Sequence, residues 1–448
     1  MTMRNTMEYS RPAKGNACLP GAAASTGGEE EAEVDVAVLG AGVVGVCTAY
    51  ALARRGLSVA IVERREEPGL GTSHANGAQL SYAYADALAQ PSLWRKMPGM
   101  LAGLDPSFRL HLSPDPGFLR WGLAFLRNCT KKRFAEKTRA ALQLGLESQA
   151  AMARLRARHP FPFAHACPGK MHIFRDAATL ARASETAAIK RDAGFEQHVL
   201  GAAEACAIEP ALADAGDFAG ALWSPAEEVG DPYLFCRGLL DVLLRDYDVQ
   251  AHFGFTAGAP LHAGDSIVIP QAATRTDERR NRRIVARKLV VCLGIDAPGY
   301  LAPLGIRAPV QPMKGYSFTA PPGGHAPQVS LTDTARKIVF CRLGGKMRIA
   351  GLAELGVRDL RVDPARLHTL IEAARTAMPR AARYGEAEDG WAGLRPMSPD
   401  SVPIVRRAAG NVFLNIGHGM LGWTLAAGSG ERVAELVTAC DPTMSRKD

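Results

Sequence analysis

The sequence predicts a mixed α/β protein, in which a Rossmann-like nucleotide-binding domain is combined with a block of antiparallel strands. Three observations predict it: a glycine-rich turn between a strand and a helix near the N-terminus, strand–helix units towards both ends, and alternating apolar residues over 310–351. The 448 residues suggest about three domains at roughly 150 residues each. With 47% hydrophobic and 22% charged residues, fibrous and wholly disordered classes are excluded.

The first 116 residues contain the best-supported local pattern. Residues 34–39 form a short apolar segment typical of a buried strand, 43–54 are helical and end before Gly56, and 58–62 form a second strand. The tail before them, 1–33, is rich in Gly, Ala, Ser, Thr and Glu and lacks the apolar region of a signal peptide, so we expect it to be disordered. Residues 66–116 are expected to be mostly loop with short helices.

The rest of the chain alternates between helical and extended patterns. Asp176 has the character of an N-cap, and the charged run 275–283 is most simply a solvated hairpin tip, with a basic docking patch as the alternative. The expected elements are helices at 117–129, 131–158, 232–247, 363–378 and 421–437, strands at 171–174, 288–292 and 412–415, and antiparallel strands within 310–351.

The segment Gly40-Ala41-Gly42-Val43-Val44-Gly45 matches G-x-G-x-x-G between a strand and a helix. Gly40 permits the tight turn, Gly42 lets the backbone approach a pyrophosphate, and Gly45 lets helix and strand pack closely. The helix N-terminus then offers N–H groups and a positive dipole end to the phosphates. The simpler interpretation is a glycine-rich turn that binds nothing.

Glu63 strengthens the nucleotide interpretation. It ends the second strand, 23 residues after Gly40, near the spacing of an acid that binds a ribose hydroxyl, and it disfavours a 2′-phosphate. The motif does not separate NAD from FAD. Small polar groups at 72–76 could lie beside a flavin's phosphate or ribityl chain, and Gly417-His418-Gly419 precedes a helix whose N-terminus could stabilise an anionic flavin edge.

Five segments together resemble the FAD-dependent amine oxidoreductases of the D-amino acid oxidase superfamily, and within it the bacterial D-amino acid dehydrogenases. The resemblance covers about residues 34–440. It departs from the family pattern at Ala78, where a glycine is common, and in the N-terminal tail. The segments are VLGAGVVG (38–45), TSHANGAQLS (72–81), PMKGYS (312–317), WAGLRPMSP (391–399) and NIGHGMLGW (415–423).

The resemblance implies an FAD-binding domain of the glutathione-reductase type (34–90, 195–308 and 385–440) and an antiparallel-sheet substrate domain (91–194 and 309–384). It implies oxidative deamination of D-amino acids, with electrons passed to a membrane quinone or a similar acceptor. The residues expected to hold FAD are Val36, Ala37, Val38, Leu39, Gly40, Ala41, Gly42, Val43, Val44, Gly45, Glu63, Arg64, Ser73, Asn76, Gln79, Gly294, Gly417, His418, Gly419, Leu421 and Gly422.

An amino-acid-oxidising site needs a cation for the substrate carboxylate. Arg395 is the expected ligand, because a guanidinium holds a carboxylate through two parallel N–H bonds and because Arg395 resembles the family's carboxylate-binding arginine. Tyr316 is a second candidate ligand or a lid, and Lys314 could lie near flavin or substrate; both could instead be edge-strand residues with solvated tips. His418 could contact the flavin or simply pack.

Other classes of function find little support in the sequence. The net charge of +8 suits an anionic ligand, an anionic membrane or nucleic acid, but no zinc-finger or RNP-like motif is present, so nucleic acid is not expected. Nine cysteines without a C-x-x-C pair indicate a reducing compartment, and no metal-ligand motif predicts a metal. We expect a cytoplasmic protein, or one peripheral on the inner face of the cytoplasmic membrane; the oligomeric state is left open.

The helix at 117–129 bears on the membrane alternative. Phe118, Gly122, Phe125 and Cys129 share one helical face and basic residues share another, which is typical of an ordinary surface helix and also compatible with a membrane surface.

Two alternatives to a D-amino acid dehydrogenase remain. One is an oxidase or dehydrogenase for glycine, sarcosine or hydroxyproline on the same scaffold. The other is a flavin- or nucleotide-binding regulatory module without turnover.

Overall fold

Two β-sheets organise the chain, and the polypeptide crosses between them several times. The computed structural model describes residues 30–101, 103–272 and 282–439. The first sheet has eight strands, of which six follow the order β10-β11-β12-β1-β2-β9, while β19 pairs with β12 and β18 with β19. The second has nine strands, of which eight follow the order β17-β13-β16-β15-β14-β5-β7-β6, with β4 beside β16. A small ladder, β3 with β8, lies apart from both.

The strands are β1 Glu30–Leu39, β2 Val59–Val62, β3 Gln79–Leu80, β4 Phe108–Leu110, β5 Lys170–Phe174, β6 His198–Gly201, β7 Gly220–Ser224, β8 Glu228–Val229, β9 Val249–His252, β10 Leu261–Ala263, β11 Ser266–Pro270, β12 Arg282–Val291, β13 Gln311–Ala320, β14 Ser330–Asp333, β15 Ile338–Leu343, β16 Lys346–Leu355, β17 Glu388–Met397, β18 Ile404–Ala409 and β19 Val412–Ile416. The helices are α1 Val43–Ala53, α2 Leu93–Leu101, α3 Pro116–Asn128, α4 Lys131–Arg158, α5 Ala177–Asp192, α6 Ala202–Ile208, α7 Pro232–Asp246, α8 Ala297–Leu301, α9 Pro364–Ala377 and α10 Gly422–Ala439.

The core of the first sheet explains its βαβ order. Strands β1, β2, β9, β12 and β19 run parallel, and their apolar side chains are buried on both faces. Helices α1, α7 and α10 contribute to the large apolar cluster on one face. The second sheet buries one face against α9, with Leu370, Ala374 and Ala377 fully enclosed.

The predicted fold class, including the antiparallel block, is confirmed. The helices whose limits were predicted (α1, α3, α4, α7, α9 and α10) begin and end within one or two residues of those limits, and Asp176 caps α5 by accepting a hydrogen bond from the Thr179 N–H at 2.8 Å. Strand β1 is longer than expected: it begins at Glu30 and pairs with Arg282, so residues 30–33 are strand, whereas the rest of the predicted tail lies outside the described residues. Most of the charged run 275–283 also lies outside them.

The expected division of the chain differs from the sheet membership at three strands. The segments 195–308 and 385–440 were assigned to the nucleotide-binding domain, yet β6, β7 and β17 pair within the second sheet. Periodicity identifies a strand but not its partner, because pairing depends on residues far away in the sequence. The domain limits themselves stay a prediction.

Candidate active site

Four predicted cofactor segments meet at one edge of the first sheet. Strands β1, β2, β12 and β19 are parallel and end at Leu39, Val62, Val291 and Ile416. They are followed by the glycine turn, Glu63, the turn containing Gly294, and Gly417-His418-Gly419. Ligands of open parallel sheets bind beyond the carboxyl ends of the strands. The topology therefore gathers segments separated by more than 350 residues into one potential cofactor site.

The glycine turn has the backbone geometry that its motif requires. Gly40 has a φ of +99°, and its N–H donates to the Val62 carbonyl at 2.8 Å. A Cβ at Gly45 would overlap the Gly40 carbonyl, whereas a Cβ at Gly42 would lie 3.4 Å from the Ser73 hydroxyl. That hydroxyl accepts a hydrogen bond from the Val43 N–H at 3.1 Å, at the first turn of α1. Gly45 is thus needed for packing, and Gly42 keeps space open at the helix N-terminus.

Glu63 holds the turn in place. One carboxylate oxygen accepts from the Ala41 N–H at 2.9 Å and the other from the Arg65 N–H at 3.0 Å. Arg64 is exposed and forms an ion pair with Asp296 at 2.8 Å, which ties the ends of β2 and β12 together. The predicted contacts of Glu63 and Arg64 with a nucleotide stay predictions.

Strand β1 contributes mainly through its end. Val36, Ala37, Val38 and Leu39 are fully buried in the cores on either side of the sheet. Their side chains therefore have no route to a ligand, and a contact from this strand must come from its backbone at the carboxyl end.

The segment 72–80 crosses from the first sheet to the second. The Asn76 side chain accepts from the Ala78 N–H at 2.8 Å, and Ala78 itself has a φ of +59°. This left-handed conformation explains why glycine would suit the position. The Gln79 amide donates to Ser330 Oγ and accepts from Lys170 Nζ, so the second sheet already engages it.

Gly417 and Gly419 flank His418 with φ values of +77° and +58°. The His418 imidazole is 4% exposed, and its Nε2 lies 2.9 Å from Ser429 Oγ on α10. Burial lowers its pKa to about 3, so the ring is neutral near pH 7. Leu421 and Gly422 follow at the start of α10, so this loop offers a helix N-terminus at the same edge as α1.

The second sheet closes this edge through β13 and β17. The Thr72 hydroxyl donates to the Leu394 carbonyl at 2.8 Å, and the Ser317 hydroxyl donates to the Ala75 carbonyl at 2.5 Å. Met397 forms a bridge with His418. Ser398, whose Cβ lies beside Gly417, has a buried hydroxyl without a hydrogen-bond partner among the described residues. An open helix N-terminus, a left-handed glycine loop and an unsatisfied buried hydroxyl fit a phosphate-containing cofactor with a polar ring.

Arg395 lies on the face of β17 that is turned towards this edge. Gly315 and Gly393 pair across β13 and β17, and their missing side chains leave a flat patch of sheet. A Cβ at Gly315 would overlap the Arg395 guanidinium, and a Cβ at Gly393 would overlap the Trp391 ring. The Arg395 guanidinium therefore lies directly against the backbone of Gly315.

The Arg395 guanidinium forms no ion pair with any residue that the structure describes. Its Nη1 donates to the Leu352 carbonyl at 3.2 Å, and burial lowers its pKa to about 10, so it stays protonated near pH 7. Leu352 has a φ of +57°, in an irregular part of β16 opposite the stretch from Lys314 to Tyr316 where the register shifts. Such bulges re-aim groups beside functional sites.

Lys314 and Tyr316 lie on the opposite face of β13, and the expectation that they join Arg395 requires correction. Successive side chains of a strand point to opposite faces, and both residues are one position away from Gly315. Tyr316 is 1% exposed in the cluster that includes Leu370 of α9, and burial raises its pKa to about 12. Lys314 Nζ donates to Asp359 at 2.9 Å and to the Arg361 carbonyl at 2.6 Å.

Several residues near Arg395 were not predicted as site residues, and one of them, Trp121, lies outside every motif segment. Trp121 of α3 donates through Nε1 to the Met397 carbonyl at 2.9 Å and packs with Met313 and Met397, which forms an apolar wall beside Arg395. Thr72 lay within a segment already singled out, but the contact of its hydroxyl with β17 depends on the fold.

The family model described as "FAD dependent oxidoreductase" (DAO) matches residues 35–436. The chain belongs to this family. It is therefore an FAD-dependent oxidoreductase, which agrees with the cofactor and enzyme class predicted from the motifs. The individual contacts proposed for FAD remain predictions.

Curated relatives cover almost the whole chain. D-amino acid dehydrogenase 2 of Ralstonia nicotianae is 41% identical over 92% of this chain and 98% of its own length. D-amino acid dehydrogenase of Paramagnetospirillum magneticum is 38% identical over 90% and 94%.

Among solved structures, glycine oxidase from Geobacillus kaustophilus has a TM-score of 0.69 at 20% identity, covering 91% of this chain and 95% of its own. L-proline dehydrogenase from P. horikoshii has a TM-score of 0.68 at 17% identity, covering 92% and 94%. At these identities the likeness shows the fold alone.

Proposed function

We propose that the protein oxidises D-amino acids to 2-oxo acids and ammonia and passes the electrons to a quinone-type acceptor in a membrane. The amino-acid substrate is supported by the curated relatives, which are named D-amino acid dehydrogenases and which match this chain over nearly their full length. The observation that carries the site is Arg395, a half-buried residue whose guanidinium has no carboxylate partner among the described residues and lies beside the edge where the predicted FAD-binding segments meet.

The residues divide the work of binding. Arg395 holds the substrate carboxylate through its N–H groups and thereby fixes the position of Cα. Met313, Met397 and Trp121 supply apolar surface next to it, which excludes water and accommodates an apolar side chain. FAD, when bound, would supply the two-electron acceptor for the hydride that leaves Cα; the amino group would lose a proton, and the resulting imine would take up water and release ammonia.

The membrane acceptor is supported by an unusual surface. Leu104, Leu112 and Leu119 are 77%, 72% and 57% exposed, and Trp94, Leu101 and Leu123 are at least half exposed. All six lie between 94 and 123, on α2, α3 and the segment between them. We call them the apolar ridge. Exposed Arg95, Arg109, Arg120 and Arg127 lie in or next to the same stretch of chain, as expected for an interface with anionic lipid.

The apolar ridge uses a different face of α3 from the aromatic one that the sequence pattern left as an alternative membrane surface. Phe118 and Trp121 are buried, and Phe125 packs with Trp121 at 5.2 Å, so the aromatic face of this helix covers the protein. The outward apolar residues are Leu119 and Leu123. Trp121 contacts Met397, two residues from Arg395, so the two ridge residues of α3, Leu119 and Leu123, lie on a helix that packs beside the proposed substrate site. No described helix combines the length and apolar character needed to cross a bilayer.

The substrate is tested by mixing the holoenzyme anaerobically with D- and L-amino acids, glycine, sarcosine and D-hydroxyproline. We expect D-amino acids to bleach the flavin absorbance. Reduction only by glycine, sarcosine or hydroxyproline would replace the proposal with the alternative enzyme, and no reduction by any of them would favour a module without turnover.

The acceptor is tested with vesicles that contain anionic lipid and a quinone. We expect the holoenzyme to sediment with them and to reduce the quinone during D-amino acid turnover. Leu119→Glu with Leu123→Glu should weaken sedimentation, whereas Leu261→Glu, at a residue 59% exposed on β10, is the matched control. Oxygen consumption that produces peroxide at the same rate without quinone would contradict the membrane acceptor.

A further inference from the structure

A second cluster of reactive side chains lies outside the proposed catalytic site. His165, Cys167 and Glu228 bring one imidazole nitrogen, one thiol sulfur and one carboxylate oxygen within 4.8 Å of one another. We propose that these three side chains bind one zinc-class divalent ion, with a fourth position open to solvent. The sequence did not predict a metal, because Glu228 is 61 residues from Cys167 and no short motif links them.

The backbone explains why the three side chains converge. Ala166 pairs with Val229 in antiparallel register: the Ala166 N–H donates to the Val229 carbonyl at 3.1 Å, and the Val229 N–H donates back at 2.9 Å. His165 and Cys167 flank Ala166, so their side chains share one face of this ladder. Antiparallel register also places Cys167 opposite Glu228, on the same face.

The distances suit a tetrahedral ion. The His165 Nε2–Glu228 Oε2 distance is 3.1 Å, and the Cys167 Sγ–His165 Nε2 distance is 3.9 Å. Ligands at about 2.0–2.3 Å from zinc and at tetrahedral angles lie about 3.3–3.8 Å apart. Small side-chain rotations therefore produce three ligand bonds. Thiolate, imidazole and carboxylate are the ligand types that zinc uses, and one thiolate with one carboxylate neutralise its charge.

An outer partner holds the carboxylate in position. Arg156 Nη1 lies 3.2 Å from Glu228 Oε1, while Oε2 faces His165. One oxygen is thus held by the guanidinium, and the other, which faces His165 Nε2, is the one that would bind the ion, as in metal sites whose carboxylate ligands have hydrogen-bonded outer partners.

The same geometry argues against a cysteine nucleophile. In a Cys–His–acid triad the two imidazole nitrogens face different partners, so that one takes the thiol proton while the other is held by the acid. Here both close contacts involve Nε2 of His165. The three groups converge on one point instead of forming a relay, which is the arrangement of ligands around an ion.

The site is accessible, and an ion there would join two segments. A surface groove of about 650 Å³ opens beside it, lined in part by Arg156, Phe161, Phe163 and His165. His165 and Cys167 lie in the segment between α4 and β5, whereas Glu228 lies on β8, which pairs with β3. A bound ion would hold this segment to β8 and raise the melting temperature.

The test uses chelator-treated holoenzyme, equilibrated with zinc and analysed for bound metal. We expect one zinc per chain. His165→Ala, Cys167→Ser and Glu228→Gln should each lower the zinc affinity by at least about 100-fold, whereas losing a residue that only hydrogen-bonds a ligand typically costs about 10- to 100-fold. Cys167→His keeps a ligand and should bind. His198→Ala, which removes the exposed partner of Glu196 at 2.8 Å, is the matched control and should bind as the parent does.

A spectroscopic measurement separates a thiolate site from adventitious binding. Cobalt in the same holoenzyme should produce absorption at wavelengths longer than the flavin bands, and Cys167→Ser should abolish it while the FAD content stays unchanged. The proposal is overturned if the parent binds no stoichiometric zinc, or if Cys167→Ser binds zinc with parental affinity.

Discussion

The Arg395 guanidinium forms no ion pair with a carboxylate among the described residues. It is therefore available to bind the carboxylate of a substrate. A guanidinium that has lost water without gaining an anion binds an incoming carboxylate more strongly than an exposed one does. Gly315 makes the site possible, because any side chain there would occupy the guanidinium's space.

Replacing Arg395 should remove substrate binding and leave the cofactor. In Arg395→Leu, a lost charge-assisted contact of about 2–5 kcal/mol should lower kcat/KM for D-amino acids by about 30-fold to several thousand-fold. Arg395→Lys should recover only part of this, because an ammonium cannot form the paired contact. Steady-state kinetics and FAD content decide it. Exposed Arg182→Leu on α5 is the control, and parental kcat/KM in Arg395→Leu would remove the residue from the site.

Tyr316→Phe tests the face assignment. The Tyr316 hydroxyl is buried and has no hydrogen-bond partner among the described residues, so its removal leaves no partner unsatisfied. We expect kcat/KM within about twofold of the parent and an unchanged or slightly raised melting temperature. A large rise in KM would instead place Tyr316 beside the substrate.

His418 should make the protein sensitive to acid. Its folded pKa is about 3 against an ordinary value of 6.5, so below pH 6.5 the unfolded chain takes up a proton that the folded chain refuses. The free energy of unfolding therefore decreases as pH falls from 6.5 towards 3, by up to about 1.4 kcal/mol per pH unit. In His418→Gln the melting temperature should decline less between pH 6.5 and 4.5. Equal declines in the two proteins would contradict the assignment.

At the scale of elements, the turn from β1 to α1 separates two roles of glycine. Gly42→Val should fold but lose FAD, because its Cβ would lie 3.4 Å from the Ser73 hydroxyl, in ordinary contact, while the side chain fills the space over the helix N-terminus. Gly45→Ala should lower the melting temperature itself, since its Cβ overlaps the Gly40 carbonyl. Flavin absorbance and circular dichroism on both variants distinguish the roles. Normal FAD content in Gly42→Val would show that this glycine is structural only.

The sequence predicts the limits of helices well, but it predicts less well which face of a strand each side chain occupies. Helix α4 was placed at its observed limits because its helical pattern is local in the sequence, and in the structure Thr130 caps its N-terminus by accepting from the Arg133 N–H. Tyr316 and Lys314 were misplaced because the motif around them gives residue types, whereas the face each residue occupies depends on which side of β13 receives α9. That choice comes from packing, which no local pattern records.

For the whole molecule, the cofactor edge lies where the two sheets meet, so FAD removal should loosen both sides of that junction. We expect faster amide hydrogen exchange in the apo-protein at 72–76 and 417–422, with α5 unchanged because it packs against the far end of the second sheet. Uniform protection in the apo- and holo-proteins would contradict the assignment of these segments to FAD.

The first sheet also sets an order of events during synthesis. Its central strand β1 is made before the other strands of the sheet, β12 completes one side of it, and β19, which carries Gly417 at its end, pairs with β12 and is made after both. A ribosome must therefore translate through β19 before the turn after β1 and the loop at Gly417 can lie at the same edge. We therefore expect chains truncated before Val412 to bind no FAD and to be colourless.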